Sequence, residues 1–349
     1  MILENIPGLK QQYLIPLFLL FMLFSACKPE ATLVKFRGET MGTYYEISYI
    51  SEQGQVNYQK QIDSLLLAFN NSVSTYIPTS LISKVNQANA GDTIPVDEFF
   101  AVVFITSAEV HRKTGGAFDP SVMPLVNAWG FGYQKKPLPA DSLEVDSLLK
   151  LVNFSSFALL DNPYRIVKTV ANTQLDFSAI AKGYGVDVIG LFLEDQKISN
   201  YLVDIGGELR ARGVNTQQKA WTVGIDKPVE NATKREVQEI VRLKNSSIAT
   251  SGNYRKFYEK DGVKYAHTID PKTGYPKLSN LLSASVFTSD CMTADAYATA
   301  FMVMGYEKAR AYVEKDASLD ALFIFSNEKG ELQTFVTQGV EVLKEDRNN

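Results

Sequence analysis

Cysteine, histidine and tryptophan are scarce in this chain, with two of each among 349 residues. Two cysteines cannot build a disulfide framework or a cysteine-rich metal site, so stability has to come from an apolar core. Strong charge of one sign is also missing: 35 Lys and Arg stand against 39 Asp and Glu, a net charge of −4. The basic residues are scattered, without the clustered footprint that a nucleic-acid backbone requires, so nucleic acid is set aside as a partner. No internal repeat, low-complexity tract or long linker is visible. No apolar run reaches the roughly 20 residues that cross ~30 Å of hydrocarbon. Core-forming side chains are plentiful, at 45% hydrophobic residues, the composition of an ordinary folded protein.

The longest apolar run, Tyr13 to Phe24, is broken by Pro16 and follows Lys10. It ends in Phe24-Ser25-Ala26-Cys27, and small residues before a cysteine suit a lipoprotein signal peptidase. Residues 1–26 therefore read as a lipoprotein signal peptide and 27–32 as a lipidated tether, with an uncleaved anchor as the alternative. Glu4 in the flank and Phe24, where leucine is more usual, depart from the pattern. Acyl chains such as palmitate on Cys27, at roughly 0.8 kcal/mol per buried CH₂, would make membrane attachment stable. The expected location is that of an exported lipoprotein, anchored in the inner membrane and facing the periplasm. Lipidation of Cys27 leaves Cys291 as the remaining thiol, with no intramolecular disulfide.

Beyond the tether, Leu33 to Phe36 and Tyr44 to Ile50 have the β-branched and aromatic content of strands. Ile62, Leu65, Leu66, Phe69 and Val73 recur at helical spacing, and a second apolar helix runs from about Asp97 to Lys113. Asp141-Ser-Leu-Glu144 resembles a capping box. Further strands are expected near Tyr201–Asp204, Trp221–Ile225, Glu239–Leu243, Tyr254–Glu259 and Leu282–Phe287, and helices near Ala179–Leu193 and Cys291–Met304. Mixed but not alternating elements predict an α+β fold, with residues 33–345 as one compact unit.

Several clusters carry chemistry. Asp295 and Thr299 stand four apart and share a helix face, so a carboxylate and a hydroxyl could serve one hard cation such as magnesium. The plain alternative is an exposed ion pair and a hydroxyl bonded to its own helix. Asp176 is expected at a strand end and Lys182 early in a helix, where phosphate is favoured; the plain alternative is an N-terminal helix residue and a solvated face. Gly183-x-Gly185 lies inside that helix and is no dinucleotide fingerprint. Thr114-Gly-Gly-Ala117-Phe118-Asp119 permits close backbone approach to a ligand, or is simply a helix stop. Asp204-Ile-Gly206-Gly207-Glu208 is similar, with a hairpin turn as its plain explanation. His267 precedes a Pro/Gly turn and, near neutral pKa, is suited to take a proton. His111 fits the negative end of a helix dipole instead.

In register, Met41-Gly-Thr43, Ser74-Thr-Tyr76 with Ser80, Thr114 to Asp119, Leu175-Asp176 through Lys182-Gly183, Asp204 to Gly207, His267 to Pro271, and Ala294-Asp295 with Thr299 resemble the FAD:protein FMN transferase family. That family is also called ApbE and was once labelled a thiamine-biosynthesis lipoprotein. The resemblance spans nearly the whole mature chain. It implies an α+β catalytic unit with FAD, as substrate, contacting Met41, Tyr76, Ala117, Phe118, Asp119, Asp176, Lys182 and Ile269. It implies Mg²⁺ held by the backbone carbonyl of Ala179 and by Asp295 and Thr299. Some members carry a second aspartate directly before that threonine; here the position is Ala298. The implied reaction attaches FMN to a threonine or serine of acceptor flavoprotein subunits of membrane redox complexes, releasing AMP. His267 is the candidate base, with Asp270 or a neighbouring carboxylate to orient it. The alternatives are an FAD pyrophosphatase yielding FMN and AMP, and a non-catalytic FAD-binding lipoprotein.

Overall fold

The computed structural model describes residues 31–52, 54–134, 140–228, 236–253, 257–260 and 263–343. The leader, Cys27 and most of the tether lie outside the described residues, as do Tyr254 and Arg255. Among the described residues are eight α-helices and sixteen strands in mixed order, which is the expected α+β architecture.

The organising element is an eight-stranded sheet. Its spatial order is Thr32–Thr40, Thr43–Ser51, Tyr201–Ile205, Glu208–Arg212, Ser247–Gly252, Leu281–Thr288, Asp320–Ser326 and Leu332–Val336. All neighbours pair antiparallel. The first hairpin turns on Met41 and Gly42, whose φ values of 50° and 70° suit the tight turn that matches strand twist. Glycine adopts such a φ freely; methionine there is unusual.

Both faces of this sheet are covered. Helices Gln59–Val73, Ala181–Asp195 and Cys291–Met304 supply buried side chains to the main core, with Ile47, Val203, Ala249 and Val286 from the strands. On the opposite face, Ile248, Phe287, Leu322 and Ile324 pack with Trp221, Ile225, Val241 and Leu243 of a second, three-stranded sheet. Adjacent residues such as Ile248 and Ala249 thus belong to different cores, as the alternation of side chains along a strand requires. Sequence alternation does not single out Ser247–Gly252 or Asp320–Ser326 for this reason, since strands buried on both faces lose the polar half of the pattern.

The helix signals hold. Asp97 and Asp141 accept the N–H groups of Phe100 and Glu144 at 2.9 and 2.8 Å, the capping that satisfies otherwise orphaned donors. Two local expectations change. Asp176 ends no strand; it lies in an irregular segment between strand Arg165–Lys168 and helix Ala181–Asp195. That helix starts two residues later than expected, leaving Ala179 in the preceding turn. No helix among the described residues is long and apolar enough to cross a membrane.

Candidate active site

One cavity of about 730 Å³ is lined by Met41, Tyr76, Ala117, Phe118, Asp119, Asp176, Ala179, Lys182, His267, Ile269, Asp295 and Thr299. These twelve candidates, spread over some two hundred and fifty positions of sequence, border this space, whereas Asp270, the candidate to orient His267, is not in the lining. Its size lies within the range of small-molecule and cofactor sites.

The polar wall is built where helices Ala181–Asp195 and Cys291–Met304 cross. A Cβ on Gly183 would sit 2.3 Å from the Cys291 carbonyl oxygen and 2.8 Å from Asp295 Cβ, so only glycine permits this approach. Gly183 N–H donates to Asp295 Oδ2 at 2.9 Å. As the third residue of its helix, Gly183 has an N–H with no intrahelical partner, and Asp295 satisfies it across the crossing. Ala179 lies in the turn before the helix, outside its hydrogen-bond ladder. A second tie lies one turn further along: Asp187 accepts the N–H groups of Cys291 and Met292 at 2.9 and 2.8 Å and pairs with Arg210 at 2.8 Å. It caps the neighbouring helix from outside, and burial pushes its carboxyl up to about 6 despite those donors.

Lys182 Nζ contacts Glu208 Oε1, and Glu208 is almost fully buried. Burial works against the Lys182 ammonium, but Glu208 and Asp295 outweigh it and hold the pKa above the ordinary value. Glu208 is driven the other way: burial pushes its carboxyl up to about 7, opposed by Lys182 and assisted by Asp295. Asp295 is likewise raised by burial, against the pull of Lys182 and the Gly183 N–H.

Two loops form the adjoining wall. After helix Glu98–Lys113, Gly115 and Gly116 take φ values of 58° and 79°, turning the chain so that Ala117 to Asp119 face the cavity. Asp119 Oδ1 accepts from Ser121 N–H at 2.8 Å, and His111 Nδ1 stands 3.6 Å from Oδ2. His111 thus supports a cavity loop from the last turn of its helix, a contact beyond the dipole role expected of it. The Asp176 N–H donates to Pro120 O at 2.6 Å, joining the two loops. Tyr76 stands at the rim, 64% exposed.

The opposite side is aromatic. His267 meets Phe131 edge-on with centroids 6.3 Å apart, and Trp129, Tyr265 and Tyr258 stack behind them. Trp129 Nε1 donates to Gly274 O at 2.7 Å, fixing the turn after His267. Asp270 uses Oδ1 for the Lys272 N–H at 2.9 Å and lies 3.5 Å from Lys277 Nζ; these contacts build the turn.

Sequence reasoning did not select Val223 to Asp226, and it named Glu208 only as the end of the Asp204–Glu208 cluster, without a role. The first four are consecutive on strand Trp221–Asp226 and all line the cavity. Since alternate side chains of a strand point oppositely, four in a row reach one space only along the strand edge, and this strand is terminal in its sheet. Glu208 gave one signal, a charged residue directly after a Gly-Gly turn, but its pairing with Lys182 is set by the fold alone.

A helix crossing that brings a cation, Lys182, and a carboxylate, Asp295, to a cavity of this size is chemically suited to a phosphate-bearing ligand. The model of the ApbE family matches residues 41–323, and the chain belongs to that family. It is 38% identical over 314 residues to the FAD:protein FMN transferase of Vibrio cholerae, covering 88% of this chain and 92% of that one. It is 33% identical to the enzyme of the same name from Escherichia coli K12, covering 89% of each. Among solved structures, the flavin transferase ApbE from Vibrio cholerae superposes with a TM-score of 0.80 at 36% identity, covering 88% of this chain and 98% of that one. The apo flavinyl transferase ApbE of Pseudomonas stutzeri gives 0.79 at 30% identity, covering 88% and 95%.

Proposed function

We propose that this chain binds FAD in the cavity, breaks its pyrophosphate and transfers FMN to a threonine or serine hydroxyl of an acceptor flavoprotein, releasing AMP. The observation that carries this reading is that Lys182, Asp295, Thr299 and Ala179 line the same cavity as His267.

The donor set fits a magnesium ion. Magnesium takes oxygen ligands and few protein carboxylates, keeping waters and substrate phosphates in its other positions. Asp295, Thr299 and the carbonyl of Ala179, which lies in the turn before the helix, would hold it. Among the described residues no three His, Cys, Asp or Glu side chains cluster as a metal-holding group; this set contains one carboxylate. When bound, the ion would offset diphosphate charge and stabilise the departing AMP phosphate.

The chain's own residues do the rest. Lys182, kept charged by Glu208 and Asp295, neutralises diphosphate oxygens. The Ala117–Asp119 loop and Tyr76 border the nucleotide. At the opposite side, His267 accepts the proton of the acceptor hydroxyl as its oxygen bonds to the FMN phosphorus and the phosphorus–oxygen bond to AMP breaks. The reading extends to export: a cleaved leader over residues 1–26, lipid on Cys27, and acceptors among flavoprotein subunits of membrane redox complexes at the periplasmic face. Radiolabelled palmitate should enter the wild-type chain in cells and be absent from Cys27→Ser.

The deciding experiment is a mass spectrum of a candidate acceptor after incubation with FAD, Mg²⁺ and this protein. A covalent FMN increment lost on removal of the metal is expected. Free FMN and AMP with an unmodified acceptor would make the protein a pyrophosphatase, and unchanged FAD would make it a carrier.

A further inference from the structure

Glu208 is the buried group of the cavity with bonding capacity left over. Its side chain is 4% exposed, and Oε1 is taken by Lys182. Its other oxygen, Oε2, is buried without a hydrogen-bond partner. A buried acceptor lacking a donor is a net loss to folding, and a carboxylate so placed loses more than a neutral group would. The loss makes sense if a positive charge arrives there in the working protein.

The charge balance says which kind. Glu208 lines the cavity with Ala179, Lys182, Asp295 and Thr299. The whole lining holds six carboxylates, Asp119, Asp176, Asp204, Glu208, Asp226 and Asp295, against one ammonium, Lys182, so with these groups ionised the pocket carries excess negative charge. Such a pocket repels a diphosphate and attracts a cation, strongly so where water is excluded. Asp295 alone supplies a carboxylate to the proposed metal set, and Ala298, which precedes Thr299, supplies none.

We propose that Glu208 is the second carboxylate of the cation site: with Asp295 it provides the negative field that draws a divalent ion into the cavity, while anchoring Lys182 beside it. Glu208 is a positioning residue in this role, acting on the ion and on Lys182 rather than on the reacting atoms. The inference rests on the magnesium-dependent reading of the site. It explains why strand Glu208–Arg212 begins with a buried acid directly after the Gly206–Gly207 turn.

The test separates charge from structure by asking for two affinities that move in opposite directions. Wild type, Glu208→Gln and Glu208→Asp are titrated with Mn²⁺ without FAD, by calorimetry and by electron paramagnetic resonance. They are then titrated with FAD without metal, by flavin fluorescence. Glu208→Gln should bind Mn²⁺ at least about tenfold more weakly and metal-free FAD more tightly. Glu208→Asp should recover part of the Mn²⁺ affinity. Thermal midpoints establish that each variant is folded. Mn²⁺ affinity within twofold of wild type in Glu208→Gln would overturn the assignment, as would a parallel fall in both affinities, which marks a packing role. If wild type binds no Mn²⁺ at millimolar concentration, the metal-dependent reading fails together with this one; wild-type binding with an unaffected variant defeats only the role of Glu208.

Discussion

The two sides of the cavity are built on opposite plans. The helix-crossing side is buried and tied at each point: Gly183 to Asp295, Lys182 to Glu208, and Asp187 to Cys291, Met292 and Arg210. The His267 side is a turn backed by a small satellite core, with Leu125, Trp129, Val145 and Ile269 buried in it. Groups that must keep charge near a diphosphate gain from rigidity and burial, because preorganised charges need no rearrangement as the reaction proceeds. A proton acceptor that must meet a hydroxyl from another protein gains from standing on a turn. In the proposed reaction, ground-state charge and proton transfer would thus be divided between two scaffolds.

Substitutions on each side probe that division. On the turn side, His267→Ala should lower FMN transfer by roughly 10²- to 10⁴-fold, the usual worth of a general base, with FAD affinity unchanged. Transfer at the wild-type rate would remove His267 from the chemistry. On the crossing side, Asp295→Ala should reduce the rate by about 10²-fold and also shift the Mg²⁺ dependence, which His267→Ala should leave alone. If the metal titrations of both variants match wild type, the two sides are not separate in function. Gly183→Ala should destabilise the fold by roughly 1–3 kcal/mol, the usual cost of overpacking, because the new Cβ meets backbone at 2.3 Å. Its denaturation midpoint should fall and its metal affinity with it. A variant as stable as wild type would mean the helices can part freely.

The smallest effect is a trend with pH. Burial holds the Glu208 carboxyl up at about 7 in the folded protein, above its ordinary 4.5. Between those values the folded state keeps a proton that the unfolded chain has lost, so stability falls as pH rises through the window. Glu208→Gln lacks that loss. Its metal-free melting midpoint relative to wild type should therefore climb from about pH 5 to about pH 8; a flat difference would mean Lys182 compensates the buried charge completely.

Much of this site was legible because its pieces are local. The i, i+4 spacing of Asp295 and Thr299, the Gly-Gly turn before Ala117 and the turn after His267 follow from helix geometry and backbone sterics within a few residues. Other parts were hidden for a physical reason. The irregular segment around Asp176 is held by bonds such as its N–H to Pro120 O at 2.6 Å, from a loop more than fifty residues earlier. His111 touches Asp119 only because the chain doubles back after Gly116.

The sequence by itself determined the α+β class, the three longer helices and the first hairpin of the first half, and the residue types that can serve a phosphate and a cation, because periodicity, capping and turn chemistry act over a handful of residues. The tertiary structure alone decided that twelve dispersed residues share one cavity, that the Gly183 N–H finds its partner in Asp295, and that Glu208 lies buried against Lys182. Those outcomes depend on how two helices cross and how one sheet is buried on both faces. Such contacts join residues far apart in the chain, where no local pattern records them.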